Sequence, residues 1–339
     1  MLPTLTVKQQ RRTMMTHAIV MHQTGGPEVL HWEPYEPGPP KPGEALIRHE
    51  AVGLNFIDVY HRTGLYPLPA LPAIPGMEGA GVVEAVGEGV TDIRPGDRVA
   101  YAGVPPGAYA EKRTIPAHRL VKVPDTIDLK TAAGMMLQGM TARYLLKGCF
   151  PVKQGTRLLI HAAAGGVGSI VCQWAKFLGA TVIGTVGSES KAELARQNGC
   201  DHPVLYTSDT WPEVVRELTA GRGVDVAYDS VGQATFMSSL SCLRPLGMMV
   251  TFGQSSGSIP PVDLSILAQK GSLFLTRPSL MTYTEKREDL LAHANDLFQV
   301  VAKGILKIRI GQSYALKDVA RAHIDMESRR TSGSTVLIV

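Results

Sequence analysis

Apolar and polar positions fall into two regimes along the chain, with the change near Thr126. From Thr16 to about Lys122, short runs such as His17–Met21, Glu44–Arg48, Gly79–Val86 and Asp97–Ala100 are separated by Gly and Pro. This texture predicts a small antiparallel β domain, because short strands between turn residues bury one face of a sheet. The turn Arg94-Pro-Gly-Asp97 carries Pro and Gly in the order that a tight β-turn favours. Pro67, Pro69, Pro72 and Pro75 exclude a helix of ordinary length between them, since each proline lacks the N–H that a helix needs.

Beyond Thr126 the period lengthens and helices alternate with apolar strands. The pattern predicts a helix over Leu129–Leu146, a strand over Arg157–His161, a helix over Gly166–Leu178 and a strand over Thr181–Val186. A helix over Lys191–Asn198, closed by Gly199, and strands over Val224–Tyr228, Met248–Phe252 and Ser272–Thr276 continue the series. Such alternation implies an α/β fold with a parallel, doubly wound sheet. The helix Glu288–Lys303 and the strands Lys307–Ile310 and Thr335–Ile338 are expected to return the chain to the first domain.

With 339 residues, 44% of them hydrophobic, the chain suits about two domains. No apolar run approaches the roughly 20 residues of a membrane helix, so a protein with no membrane association is expected. Cys149, Cys172, Cys200 and Cys242 are scattered without the spacing of a metal site, and read as reduced thiols of a cytoplasmic protein. Lys8, Arg11 and Arg12 account for three of the four net positive charges, leaving +1 elsewhere, too little for an electrostatic footprint on nucleic acid. Residues 1–14 read as a frayed arm.

Ala163-Ala-Gly165-Gly-Val-Gly168 follows a predicted strand and opens a predicted helix, which matches a dinucleotide-binding turn with alanine in the first glycine place. Small residues let the chain turn sharply, approach a pyrophosphate and offer free N–H groups to it. An NAD-preferring site carries an acidic residue at the end of its second strand, whereas this chain has Val186, Gly187 and Ser188. Lys191, one turn later, is placed to neutralise a 2′-phosphate, so NADPH is the expected cofactor; Glu189, turned inward, would reverse that preference. At the carboxyl ends of later strands, where parallel sheets bind ligands, stand Ser230 and Val231, then Phe252 and Ser255.

Together with this turn, Gly25-Gly-Pro-Glu-Val-Leu30, Gly87-Glu-Gly-Val-Thr-Asp-Ile-Arg-Pro-Gly-Asp-Arg-Val99 and Tyr228-Asp-Ser-Val-Gly232 make the chain resemble the zeta-crystallin-type quinone oxidoreductases. These form a zinc-free branch of the medium-chain dehydrogenase/reductase superfamily, and the resemblance runs from about Met15 to Val339. It implies a GroES-like catalytic domain over 15–138, completed by 279–339, and a Rossmann cofactor domain over 139–278. Zinc alcohol dehydrogenases of the superfamily place a cysteine and a histidine ligand where this chain has Asn55 and Met77. Neither side chain suits zinc, so no metal is expected.

The same resemblance places Asn55, Tyr60 and Tyr66 in the substrate and nicotinamide cleft, with Asn55 also near the cofactor, and Thr141 beside it. Asn55 and Tyr60 are suited to donate hydrogen bonds to a carbonyl oxygen that gains charge, against structural roles as a helix cap and a packed ring. The turn residues Ala164, Gly165, Gly166 and Val167, the adenine-end residues Gly187, Ser188, Lys191 and Tyr206, and Arg277 and Arg329 complete the expected cofactor contacts. Family members often carry lysine where this chain has Gln138. The implied reaction is NADPH-dependent reduction of a quinone by hydride transfer, with reduction of an alkenal or enone double bond as the rival. A second rival is a nucleotide-binding protein with an RNA-binding or structural role. A homodimer joined through the edge strand Ser272–Thr276 is also implied.

Overall fold

The computed structural model describes residues 15–339, and the expected arm over 1–14 lies outside them. Two large sheets carry the architecture. In the first, the order is Ile310–Ala315, Ser334–Ile338, Glu44–Leu54, Glu78–Val86, Arg98–Ala102 and Val121–Lys122, with Lys112–Pro116 also paired to Glu44–Leu54. Its pairs are antiparallel except that between the two C-terminal strands, so the end of the chain does return to this sheet.

The second sheet has six strands in the order His202–Leu205, Thr181–Val186, Arg157–Ile160, Val224–Asp229, Leu243–Thr251 and Phe274–Thr276. All are parallel, and numbered within the sheet their order is 3-2-1-4-5-6, that of a doubly wound dinucleotide fold. Central strands such as Val224–Asp229 are buried along their whole length because helices cover both faces.

Several expected elements shift. The single helix over Leu129–Leu146 is three pieces, Leu129–Ala133, Met136–Arg143 and a π-helical segment Tyr144–Cys149. The break falls at Gly134, where a Cβ would lie 2.7 Å from Ile310 Cδ1. The expected domain boundary at 138–139 lies inside the helix Met136–Arg143. The strand expected over Lys307–Ile310 instead begins at Ile310 and runs to Ala315. Its register is irregular beside Gly311, whose backbone passes so close to Ser332 that a Cβ would sit 1.9 Å from the Ser332 carbonyl oxygen. The helix expected to start at Lys191 starts at Glu189, with Ser188 Oγ accepting the Lys191 N–H at 3.3 Å.

Candidate active site

The dinucleotide turn leaves the strand Arg157–Ile160 through His161 and Ala162, with Ala162 in the left-handed region at φ 54°, and enters the helix Gly166–Phe177. At Gly168 a Cβ would stand 2.2 Å from the Ala162 carbonyl oxygen, and at Gly166 one would stand 2.2 Å from Gln138 Oε1. A larger residue at Gly168 has to move the turn's own backbone, and one at Gly166 has to move the Gln138 side chain. The first N–H groups of this helix have no partner inside it, and Gly166, Val167 and Gly168 line a cleft of about 520 Å3.

That cleft lies between the two sheets' domains and gathers most of the expected residues. Asn55, Tyr60, Tyr66, Thr141, Gly165, Gly166, Val167, Ser230, Phe252, Ser255 and Arg277 all line it. Ala164 does not; its carbonyl accepts the Gly333 N–H at 3.0 Å, tying the turn to the C-terminal segment. Val231 is also absent from the lining, and its N–H donates to Asp229 Oδ1 at 2.7 Å to hold the loop after that strand.

A second cluster forms at the end of the strand Thr181–Val186. Lys191 Nζ donates to the Arg329 carbonyl at 2.7 Å, and the Arg329 guanidinium donates to the Tyr206 hydroxyl at 3.2 Å. Gly187 lets that hydroxyl approach, because a Cβ there would lie 2.7 Å from it. Partial burial and the neighbouring Arg329 charge both hold the Lys191 ammonium below its ordinary range. Two cations placed this close, with Arg329 itself at φ 58°, form a pocket suited to a doubly charged anion.

Around Asn55 the cleft leads into a buried hydrogen-bond network. Asn55 is buried; its Nδ2 donates to Glu78 Oε2 at 2.6 Å and its Oδ1 accepts from Gln138 Nε2 at 3.0 Å. One N–H of the amide is left for a ligand, since a carboxamide has two. The Asn55 backbone also starts the helix Phe56–Thr63, donating to Asp58 Oδ2 at 2.9 Å. The network continues through Ser334 Oγ to Gln138 Oε1 at 2.7 Å, and through the Leu137 N–H to Glu78 Oε1 at 2.8 Å. Glu78 is fully buried, and loss of solvation pushes its carboxyl up to about 8 against the hydrogen bonds of Asn55 and Leu137.

Sequence reasoning missed Glu78 as a site residue, although a carboxyl inside the small and apolar run Gly79-Ala-Gly-Val-Val83 was a visible signal. Gln254, also missed, gives its N–H to the Tyr60 hydroxyl at 3.0 Å, which leaves the Tyr60 O–H to donate. Burial pushes that phenol up to about 12. The Tyr60 and Tyr66 rings meet edge to face at 5.1 Å, and the Tyr66 hydroxyl accepts from Arg277 at 2.9 Å. The Tyr60 and Tyr66 hydroxyls, each accepting one hydrogen bond, thus lie together among the residues that line the cleft.

Two sequence families match the chain, "Alcohol dehydrogenase GroES-like domain" over residues 41–125 and "Zinc-binding dehydrogenase" over residues 166–294. A quinone oxidoreductase of Pseudomonas aeruginosa is 50% identical over 93% of this chain and 97% of its own length. This chain belongs to the quinone oxidoreductase family. The crystal structure of Escherichia coli quinone oxidoreductase complexed with NADPH superposes with a TM-score of 0.94 at 46% identity, covering 95% of this chain and 100% of that one. A 2-haloacrylate reductase of a Burkholderia species is 46% identical over 96% of this chain and 99% of its length. Quinone oxidoreductases thus share with this chain both the GroES-like and the Rossmann-type domain, as the two sheets require.

The zinc in one family description does not fit the donors present. Asn55 and Met77 offer an amide and a thioether, and the nearby Glu78 carboxyl is already held by Asn55 and Leu137. Among the described residues no group of three or more His, Cys, Asp or Glu is arranged to hold a metal ion.

Proposed function

We propose that this quinone oxidoreductase reduces quinones with NADPH, and that residues 15–138 with 279–339 form its catalytic unit around a cofactor unit over 139–278. The observation that carries the reading is one cleft joining a glycine-lined helix start to two tyrosine donors, with the cations Lys191 and Arg329 paired at the next strand end. The residues fit the cofactor. A Cβ at Gly168 would strike the Ala162 carbonyl and displace the turn that leads into the helix start, and Lys191 with Arg329 matches a 2′-phosphate that an acidic strand end would repel. When bound, NADPH supplies the hydride, as the relative from Escherichia coli carries NADPH in its crystal structure.

The protein's own part is to bind, orient and offer protons. Gly165, Gly166 and Val167 receive the pyrophosphate at the helix start, while Ser230, Phe252, Ser255 and Thr141 form the walls around the nicotinamide. Tyr60 and Tyr66 donate hydrogen bonds to the carbonyl oxygen of the acceptor as negative charge grows there, and the remaining Asn55 N–H adds a third donor. With its ionisation pushed up to about 12, Tyr60 keeps its proton throughout the neutral range. Gly187, Ser188 and Tyr206 shape the adenine end beside Lys191 and Arg329. Ala164 and Val231 act indirectly, by fixing the turns that carry their neighbours.

The test is oxidation of NADPH by purified protein with a simple benzoquinone, with NADH as control and an unsaturated ketone beside it. Strong quinone turnover with NADPH is expected. Enone turnover without quinone turnover would favour the second reading, which the 2-haloacrylate reductase relative supports. Lys191→Ala is expected to weaken NADPH roughly 10-fold or more, the loss of a charged contact, while NADH binding changes little. Equal losses for both nucleotides would reject the phosphate role.

The edge strand Phe274–Thr276 supports a homodimer. It ends the parallel sheet with Phe274 57% exposed, and an open edge invites a second copy. Phe274→Lys is expected to yield a monomer by light scattering. Free cysteines suit a cytoplasmic setting, and among the described residues no helix is long and apolar enough to cross a membrane. An RNA-binding role has no comparable support, as the net charge outside the first 14 residues is small.

A further inference from the structure

We propose that Arg277 makes this cleft prefer electron acceptors that carry a carboxylate beside the conjugated carbonyl, a narrower class than the quinone reading on which it rests. Arg277 is the one charged residue among those lining the cleft, and no aspartate or glutamate joins it there. Its guanidinium donates to three uncharged oxygens, Tyr66 Oη at 2.9 Å, Gln254 Oε1 at 3.1 Å and Thr251 Oγ1 at 3.3 Å. These bonds come from both domains and fix the direction of the group, yet they neutralise none of its charge. A guanidinium has five N–H donors, so capacity remains for a ligand.

The cofactor already has its own anion sites. The helix start at Gly166–Gly168 answers the pyrophosphate, and the Lys191 and Arg329 pair answers the 2′-phosphate. Arg277 instead stands at the tyrosine wall, bonded to Tyr66, whose ring packs on Tyr60. The same cleft is also lined by apolar Ile57, Leu137, Leu280 and Met281. Apolar walls raise the strength of a charge pair formed between them, provided the charge is met by hydrogen bonds, and here a carboxylate would meet the Arg277 fork directly.

The chemistry agrees with that placement. A carboxyquinone gains a hydride and one solvent proton to become the hydroquinone while NADPH becomes NADP+, and the carboxylate neither forms nor breaks a bond. Its negative charge opposes the arrival of electrons, however. A fixed cation beside it offsets that opposition without any proton transfer.

The test uses binding as well as turnover. The full-length protein is titrated calorimetrically with 2,5-dihydroxybenzoate and with 2,5-dihydroxybenzamide, two product analogues that differ in one charge and accept no hydride. Wild-type protein is expected to bind the acid more tightly, and Arg277→Gln to lower the acid-to-amide affinity ratio roughly 10- to 100-fold, the loss of one charged hydrogen bond. Arg277→Lys, which keeps the charge, is expected to retain most of the ratio. Carboxybenzoquinone and benzoquinone should show the same change in their kcat/KM ratio.

An unchanged ratio in Arg277→Gln would overturn the proposal, as would a parallel loss of both analogues. Weakening of NADPH, followed by its fluorescence, by the same factor as the acid would assign Arg277 to the cofactor and overturn it too. If Arg277→Gln does not fold, added salt must weaken the acid and not the amide in wild-type protein for the proposal to stand. Failure of wild-type protein to bind NADPH or reduce either quinone would instead defeat the quinone reading, a distinguishable result.

Discussion

A buried carboxyl, a carboxamide and a hydroxyl decide how Asn55 meets a ligand. Glu78 and Gln138 take opposite ends of the Asn55 amide, and Ser334 fixes Gln138 in turn, so the amide cannot rotate without breaking two hydrogen bonds. Above about pH 8, where Glu78 is ionised and accepts from both Asn55 and Leu137, Glu78→Gln puts an NH2 in front of one of those donors. The cost is expected to be roughly 1–3 kcal/mol, the penalty for an unsatisfied buried polar group. Chemical denaturation would measure it, and kcat for the quinone should fall while KM for NADPH moves little if Asn55 donates to the acceptor. Gln138→Lys tests the same network from the other side. A lysine can donate toward Asn55 and Glu78 but cannot accept from Ser334. The new cation should lower the ionisation of Glu78 from about 8, a change visible in the carboxyl resonance of labelled glutamate across a pH series.

At the scale of elements, the glycine turn makes the sharpest demand. Gly168→Ala would drive a Cβ to within 2.2 Å of the Ala162 carbonyl oxygen, a backbone atom that cannot swing aside. Overpacking of that kind is expected to cost roughly 1–3 kcal/mol and to shift the helix start that receives the pyrophosphate. Nucleotide binding followed by fluorescence should weaken more than global stability. This turn was legible in the sequence because its steric need leaves only small residues at fixed spacing between a strand and a helix. The strands around it were legible too, as fully buried parallel strands read as apolar runs. The break at Gly134 was not, because its cause is Ile310, far away in sequence. The strand Ile310–Ala315 was hidden for a related reason. It alternates half-buried and exposed residues, Gly311, Gln312 and Ser313 among them, and only pairing with Ser334–Ile338 makes it a strand. Tyr60 and Arg277 could be proposed for a site from motifs, whereas the Gln254 N–H that meets the Tyr60 hydroxyl comes from the other domain, and Thr251 and Gln254 reach Arg277 only through the pairing of their neighbouring strands.

A buried polar chain ties the helix Phe56–Thr63 to the helix Val319–Glu327 near the end of the chain. Tyr109 donates to Asp58 Oδ2 at 2.9 Å, its hydroxyl lies 3.2 Å from His323 Nε2, and Arg62 bridges His323 and Glu327 at 3.1 Å and 2.8 Å. Burial dominates the ionisation of these groups. It pushes Asp58 up to about 7 and Glu78 up to about 8, and it lowers His49 and His323 to about 3. The two kinds of group act in opposite directions on stability. Each carboxyl is protonated in the folded state at a pH where the unfolded chain has lost its proton, so its contribution fades as pH rises from about 4 through about 7 for Asp58 and about 8 for Glu78. Each histidine is neutral in the folded state while the unfolded chain binds a proton below its ordinary 6.5, so its contribution fades as pH falls from 6.5 toward 3. His61, His161 and His293 are lowered by burial as well and add to the acid side. Between about pH 4.5 and 6.5 the histidines and the two carboxyls pull in opposite directions, and above 6.5 the carboxyls act alone. Stability should therefore decline from about pH 6.5 toward pH 8, by at most about 1.4 kcal/mol per pH unit for each carboxyl. Thermal unfolding across that range would show the decline. Glu78→Gln, which removes one of the two titrating carboxyls, should shallow the slope on the alkaline side and shift the balance between about pH 4.5 and 6.5 toward the histidines; an unchanged alkaline slope would mean that Glu78 is already ionised in the folded protein.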